Sequence, residues 1–149
     1  MPLVEEVGDE DLKQSAKNWL ALNEEWWGAA PQLSDLLAGY ARRGALIVQL
    51  QQFLEEHPLL LLPNSAEQAF EQDADIISVE SMRRVVSAQW PMMGVALFGV
   101  PAISVPTSVV DGLPVGVQII GRKFREDTLF DAAEILEAHA NIPTPIDPR

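Results

Sequence analysis

The sequence predicts an α/β fold, with a small and incomplete sheet flanked by helices. Three observations predict it. Apolar residues recur at helical period in about five segments. Two segments near residues 102–120 alternate apolar residues with small or polar ones on either side of Asp111-Gly112, the pattern of a β-hairpin. Leu59 to Leu62 stand in a row between Pro58 and Pro63, too short a run for a helix and apolar on both faces of a strand.

Each element follows in order. Asp9 and Asp11 are suited to cap a helix carrying Leu12, Ala16, Trp19 and Leu20 on one face, and NEEWWGAAP ends it and leads into a loop. Ser34 is a candidate cap for a second helix, whose stripe of Leu46, Ile47, Leu50, Phe53 and Leu54 has helical spacing. His57-Pro58 closes that helix, because the residue before proline is pushed out of the helical region. The leucine run is the first strand. NSAEQAFEQDAD reads as a polar loop. Ser78 opens a helix with Val79, Met82, Val86 and Trp90 on one side, and Pro91 kinks it or starts a new turn. MMGVALFGV reads as a buried helical segment that Gly99 can stop.

Two strands follow, carrying Ile103 and Val105, then Val115, Val117 and Ile119. The stretch from Thr107 to Pro114 is longer than a two-residue loop and leaves the turn type open. Asp127 or Thr128 starts a last helix with Leu129, Ala132, Ala133, Leu136 and Ala140 on one face, and Ile142-Pro143 ends it.

Composition excludes several function classes. The 149 residues are the size of one domain or of part of a larger one. Apolar residues make up 48%, enough for a core. Ten Lys+Arg against 22 Asp+Glu give a formal charge of −12, which repels phosphate backbones and anionic lipid. Nucleic acid and membrane are therefore not expected partners. The chain has no cysteine, so it has no disulfide, thiolate metal site or cysteine nucleophile, and a cytoplasmic location is expected. The weakly polar run from Pro91 to Pro106 is too short and too interrupted to span a bilayer.

The pattern implies more surface than this chain can cover. A strand with no polar face needs helices on both sides and neighbours on both edges. Leu59 to Leu62 are expected to be an inner strand of a larger sheet. Trp26-Trp27 read either as a contact surface or as residues packed on their own helix.

The block GVPAISVP, then DGLPVGVQIIG, then FREDTLFDAAEILE resembles the C-terminal motifs of the amidase signature family. The resemblance extends back through RRGALIVQLQQFLEEHPLLLLPNSAEQAF, and the closing TPIDP is similar to the end of some bacterial amidases. It covers roughly residues 35 to 149 and suggests one partial domain over 1–149, with 1–32 as a helical lead-in and 33–149 as the C-terminal segment. The family implies hydrolysis of amide C–N bonds on a mixed sheet wrapped by helices. It also implies a Ser–Ser–Lys apparatus, with an oxyanion hole built on a Gly/Ser-rich loop. A hydroxyl is a weak nucleophile until a base takes its proton, and the developing oxyanion needs preorganised donors.

That apparatus is not matched in these residues, so no catalytic residue is assigned. No Gly/Ser-rich run occurs, and the lysines are Lys13, Lys17 and Lys123. Ser104 with Lys123 is a conceivable dyad for a rebuilt hydrolase. The simpler reading of Ser104 is a strand hydroxyl bonded to its neighbours. His57 and His139 are single histidines on different elements, so no metal is expected, and no cofactor.

The resemblance implies that Gln89, Trp90 and Met93 line the acyl or amide pocket. Gly99, Pro101, Pro106, Gly112, Pro114, Gly116 and Gly121 match the family's hairpin framework. Where the family often has Asn-Leu-Ala-Gly, this chain has Ala96-Leu97-Phe98-Gly99, which removes an amide's donors and acceptors from that wall.

Two functions are expected from these readings. One is the C-terminal, truncated part of an amidase, inactive alone and completed by a missing N-terminal half, with a small amide bound only in the whole enzyme. The other is a non-catalytic relic or interaction module that self-associates through its sheet edge.

Overall fold

Asp111 and Gly112 both hold positive φ, 53° and 81°. That pair of angles turns the chain in two residues with the twist that antiparallel strands require. Strand β2 (Ala102–Val110) therefore runs directly into β3 (Leu113–Gly121), and Val110 pairs with Leu113. The long loop expected over Thr107 to Pro114 is a two-residue turn instead. The register slips between Pro106 and Ser108, so a bulge at Thr107 takes up the residue that obscured the alternation.

The structure is a computed structural model that describes residues 2–28 and 30–140. The expected stop at Ile142-Pro143 and the TPIDP tail lie outside them. The sheet has the order β1-β3-β2 and is antiparallel throughout, with β1 spanning Leu59–Pro63. The leucine strand is thus an edge strand of this sheet, and β3 is the inner one. Leu61 is 55% exposed rather than buried on both faces, because no further strand lies beside it among the described residues.

Backbone alternation fixes what the free edges offer. The N–H of Gly121 donates to the carbonyl of Pro101 at 3.0 Å, so Pro101, Ile103 and Val105 turn their backbone toward β3. Pro106 then places its missing donor on the outer edge of β2, where no ladder bond is lost. The same alternation across β3 puts Pro63 on the outer edge of β1.

Helix α1 spans Pro2–Val7 and α2 spans Glu10–Trp27. Asp9 caps α2 as expected, accepting from the N–H of Leu12 at 2.8 Å. Helix α3 (Leu33–Glu56) starts earlier than Ser34 would allow. Gln32 is its N-cap, because the Asp35 carboxylate accepts the Gln32 N–H at 2.8 Å. His57 ends α3 as expected.

The polar loop after β1 closes in a short helix, α4 (Ala74–Ile77). Ser78 then caps α5 (Val79–Ala88), accepting from the N–H of Ser81. Pro91 opens a separate helix, α6 (Trp90–Phe98), and does not kink α5. Helix α7 (Glu126–His139) begins with Arg125 at its cap, ahead of Asp127.

Two small cores result. Val105 and Ile119 of the sheet pack on Leu129 and Ala133 of α7. Leu22 of α2 packs on Met82 and Val86 of α5. Buried Asn18 belongs to the second body and donates to the Asp75 carbonyl at 2.9 Å. Arg83 pairs with Glu25 and Glu80, and Arg84 with Glu67 and Glu71, tying α5 to α2 and to the preceding loop.

The first turn of α7 carries a titration that can be measured. Asp127 lies below the ordinary aspartate value, chiefly because its carboxylate accepts from the Arg125 side chain at 3.0 and 3.1 Å, and also from the backbone of Thr128. A carboxyl lowered in the folded state stabilises it above the unfolded-state pKa, and that contribution fades as pH falls through the lowered value. Arg125→Ala is expected to return Asp127 toward its ordinary value, as read by carbon NMR titration.

Candidate functional site

The three residues expected to line a pocket sit where α5 meets α6. Gln89 ends α5 and starts α6. Its N–H donates to the carbonyls of Val85 and Val86, and its carbonyl accepts from the N–H groups of Met92 and Met93. This corner is why Pro91 is tolerated: in the first turn of a helix a missing N–H costs nothing. The Gln89 side chain lines a cavity of about 430 Å³ together with Ser15, Trp19, Phe70, Asp75 and Met82. Apolar and aromatic residues make up much of the lining, and Glu71, Asp73 and Asp75 also line it.

Trp90 and Met93 are absent from that lining. They lie on α6 at i and i+3, with Leu97 at i+7, as one outward stripe. Trp90 is 55% exposed and Met93 41%. The structure therefore brings Trp90 and Met93 together and turns Gln89 toward a different space. Helix α6 is apolar on every side, yet of its residues only Pro91 is buried. A helix apolar all round belongs inside a protein. Phe70, which shares the cavity, lies in a stretch whose polar sequence gave no sign of it. Trp19 was legible only as part of an apolar helix face.

The framework residues set backbone shape at the end of α6 and along the hairpin. Gly99 ends α6 in the left-handed region, with φ 59°, and its N–H donates to Val95. Arg43 of α3 donates to the carbonyl of Leu97 at 2.5 Å and fastens the end of α6, a contact the sequence did not suggest. Gly112 makes the hairpin turn, and Pro114 pairs with Val109 across it. At Gly116 a Cβ would lie 2.8 Å from the Val105 carbonyl oxygen, and at Gly121 it would lie 3.0 Å from Leu129. Both glycines permit close approach.

The candidate dyad is not assembled. Ser104 accepts from the Asn64 side chain at 2.7 Å, and the backbone N–H of Lys123 donates to Gln51. Lys13 pairs with Glu10 at 3.1 Å. Ser65 donates to the Ala88 carbonyl, and Ser81 to that of Ala74. No serine–lysine hydrogen bond occurs among the described residues. Trp26 is 40% exposed and Trp27 75%, so Trp27 at least does not pack on its own helix. Among the described residues no helix is long and apolar enough to cross a membrane.

Comparison with known proteins places this geometry. The chain is 30% identical to an indoleacetamide hydrolase of Bradyrhizobium japonicum over 103 residues, 68% of this chain and 22% of that protein. It is 34% identical over 96 residues to a glutamyl-tRNA(Gln) amidotransferase subunit of Streptococcus equi subsp. zooepidemicus, 64% of this chain and 19% of that one. Its fold matches the crystal structure of the corresponding glutamyl-tRNA(Gln) amidotransferase subunit from Thermotoga maritima, with a TM-score of 0.64 at 24% identity. That match covers 87% of this chain and 28% of the other. The chain thus spans about a fifth of the curated relatives it matches. The family model described as Amidase matches residues 2–130, and the chain belongs to the amidase family.

Proposed function

We propose that these residues form one partial amidase domain, the C-terminal-type portion of an enzyme that hydrolyses amide C–N bonds. They supply scaffold and part of the substrate-pocket wall. The attacking hydroxyl and its base belong to an amidase segment outside these 149 residues. The observation that carries this reading is the bare α6 stripe of Trp90, Met93 and Leu97, directly before the framework strand β2. An apolar wall with no opposite side is what a pocket looks like when only one of its halves is present.

The bonding of the hydroxyls supports the same reading. Ser65 and Ser81 donate to backbone carbonyls, Ser78 caps a helix and Ser104 accepts from Asn64, so none of these four is held by a base. Self-association by strand pairing is less favoured, because Pro63 and Pro106 shorten both free edges.

The purified chain, given acetamide, glutamine or indole-3-acetamide, is expected to release no ammonia above the enzyme-free control. Turnover that disappears in a Ser104→Ala variant would place a nucleophile within these residues and sink the proposal.

A further inference from the structure

Helix α3 carries one largely apolar seam, interrupted by Gly44 and Gln51, of which only the lower end is used. Ile47, Gln51 and Leu54 follow a four-three spacing and face the body of the protein. Leu54 is 2% exposed, and Gln51 accepts from the N–H of Lys123. The same spacing continues upward through Gly44, Tyr40, Leu37 and Leu33. This is the 3.5-residue period of a seam that packs against another helix. Along this upper half the seam is bare: Leu33 is 70% exposed, Leu37 61% and Tyr40 64%. A Cβ built on Gly44 meets nothing within 4 Å. Arg43, one residue away, anchors the helix to the Leu97 carbonyl, so the bare half is attached at a defined place.

We propose that the upper half of α3 is a docking seam for a helix of an amidase-family segment outside these 149 residues. The proposal rests on the amidase reading above and assigns the surface where the other portion sits. Three observations select this occupant. The relatives are several times longer than the portion matched here, so most of such a fold lies outside the match. The accessible surface is 10716 Å², whereas a compact monomer of this mass exposes about 7,500 Å². The excess is several times the roughly 800 Å² that one partner contributes to an ordinary interface, and it has the scale of an obligate, core-like contact. A second copy would bring together two chains of formal charge −12, which disfavours a symmetric dimer.

The seam predicts its partner's chemistry. The partner helix presents an apolar stripe at the same period, with a bulky side chain opposite Gly44, where this chain leaves a gap.

The test is photo-cross-linking in cells that make the protein, with p-benzoylphenylalanine replacing Tyr40 and the product mapped by mass spectrometry. The expected product joins Tyr40 to the apolar face of a helix in an amidase-family segment outside residues 1–149. Leu37→Asp and Gly44→Gln are each expected to reduce its yield about tenfold or more. Gly44→Gln enters open space, so the thermal unfolding of the chain itself should not fall. A cross-link to a second copy or to a protein outside the family overturns the proposal. So does the absence of a cross-link, or an undiminished yield with Gly44→Gln. If an amidase-family segment co-purifies while Tyr40 stays unlinked, the seam fails and the functional reading stands. If none co-purifies and the chain alone hydrolyses amides, the functional reading itself fails.

Discussion

Ile119→Ala should lower the unfolding free energy by about 3–4 kcal/mol, near the upper part of the range for buried aliphatic truncations. Ile119 is 2% exposed and lies on the inner strand, between Leu61 of β1 and Ile103 of β2. Its side chain also belongs to the cluster with Val105, Leu129 and Ala133, so it joins the sheet to α7. The cavity left by truncation cannot collapse easily, because neighbours on both sides are held in register by backbone hydrogen bonds. Urea unfolding followed by far-UV circular dichroism measures the change. A loss under about 1 kcal/mol would mean that this cluster is not the centre of the core.

Gly116→Val should cost about 3 kcal/mol by overpacking against backbone. The first added carbon would stand 2.8 Å from the Val105 carbonyl oxygen and 3.3 Å from the Pro106 Cα. Neither contact is with the end of a flexible side chain, so relief requires the β2 backbone to shift beside its bulge. Nearby Asn64 bonds Ser104 across this face, and that bond should be lost as well. The comparison that isolates the effect is Gly94→Val on α6. There a Cβ meets nothing within 4 Å, and valine is a better helix former than glycine, so no loss of stability is expected. Equal melting temperatures for the two variants would show that Gly116 is not a close-approach position.

The two predictions divide along what the sequence carried. Ile119 was legible because strand alternation put it on an apolar face, and its depth of burial followed once β3 proved to be the inner strand. Gly116 was legible as part of the hairpin framework within DGLPVGVQIIG, although the atoms it approaches were not. The expected pocket residues were placed unevenly. Trp90 and Met93 share a face because they are one turn apart. Gln89 sits at the corner between two helices, and its direction depends on how α5 and α6 cross. The open pocket it lines is shared with Phe70 and Trp19, which are far from it in sequence.

By itself the sequence determined the features whose physics is local: the helix caps Asp9 and Ser78, the stops at His57 and Gly99, the Asp111-Gly112 turn, and the motif order that marks an amidase. Each depends on the backbone preferences of a few neighbouring residues. Only the tertiary structure decided that the leucine strand is an edge, that the hairpin turns in two residues, that Arg43 fastens α6, and that the upper face of α3 is bare. Burial and register depend on which distant segments arrive at a surface, and a local pattern of apolar residues is the same whether or not they do.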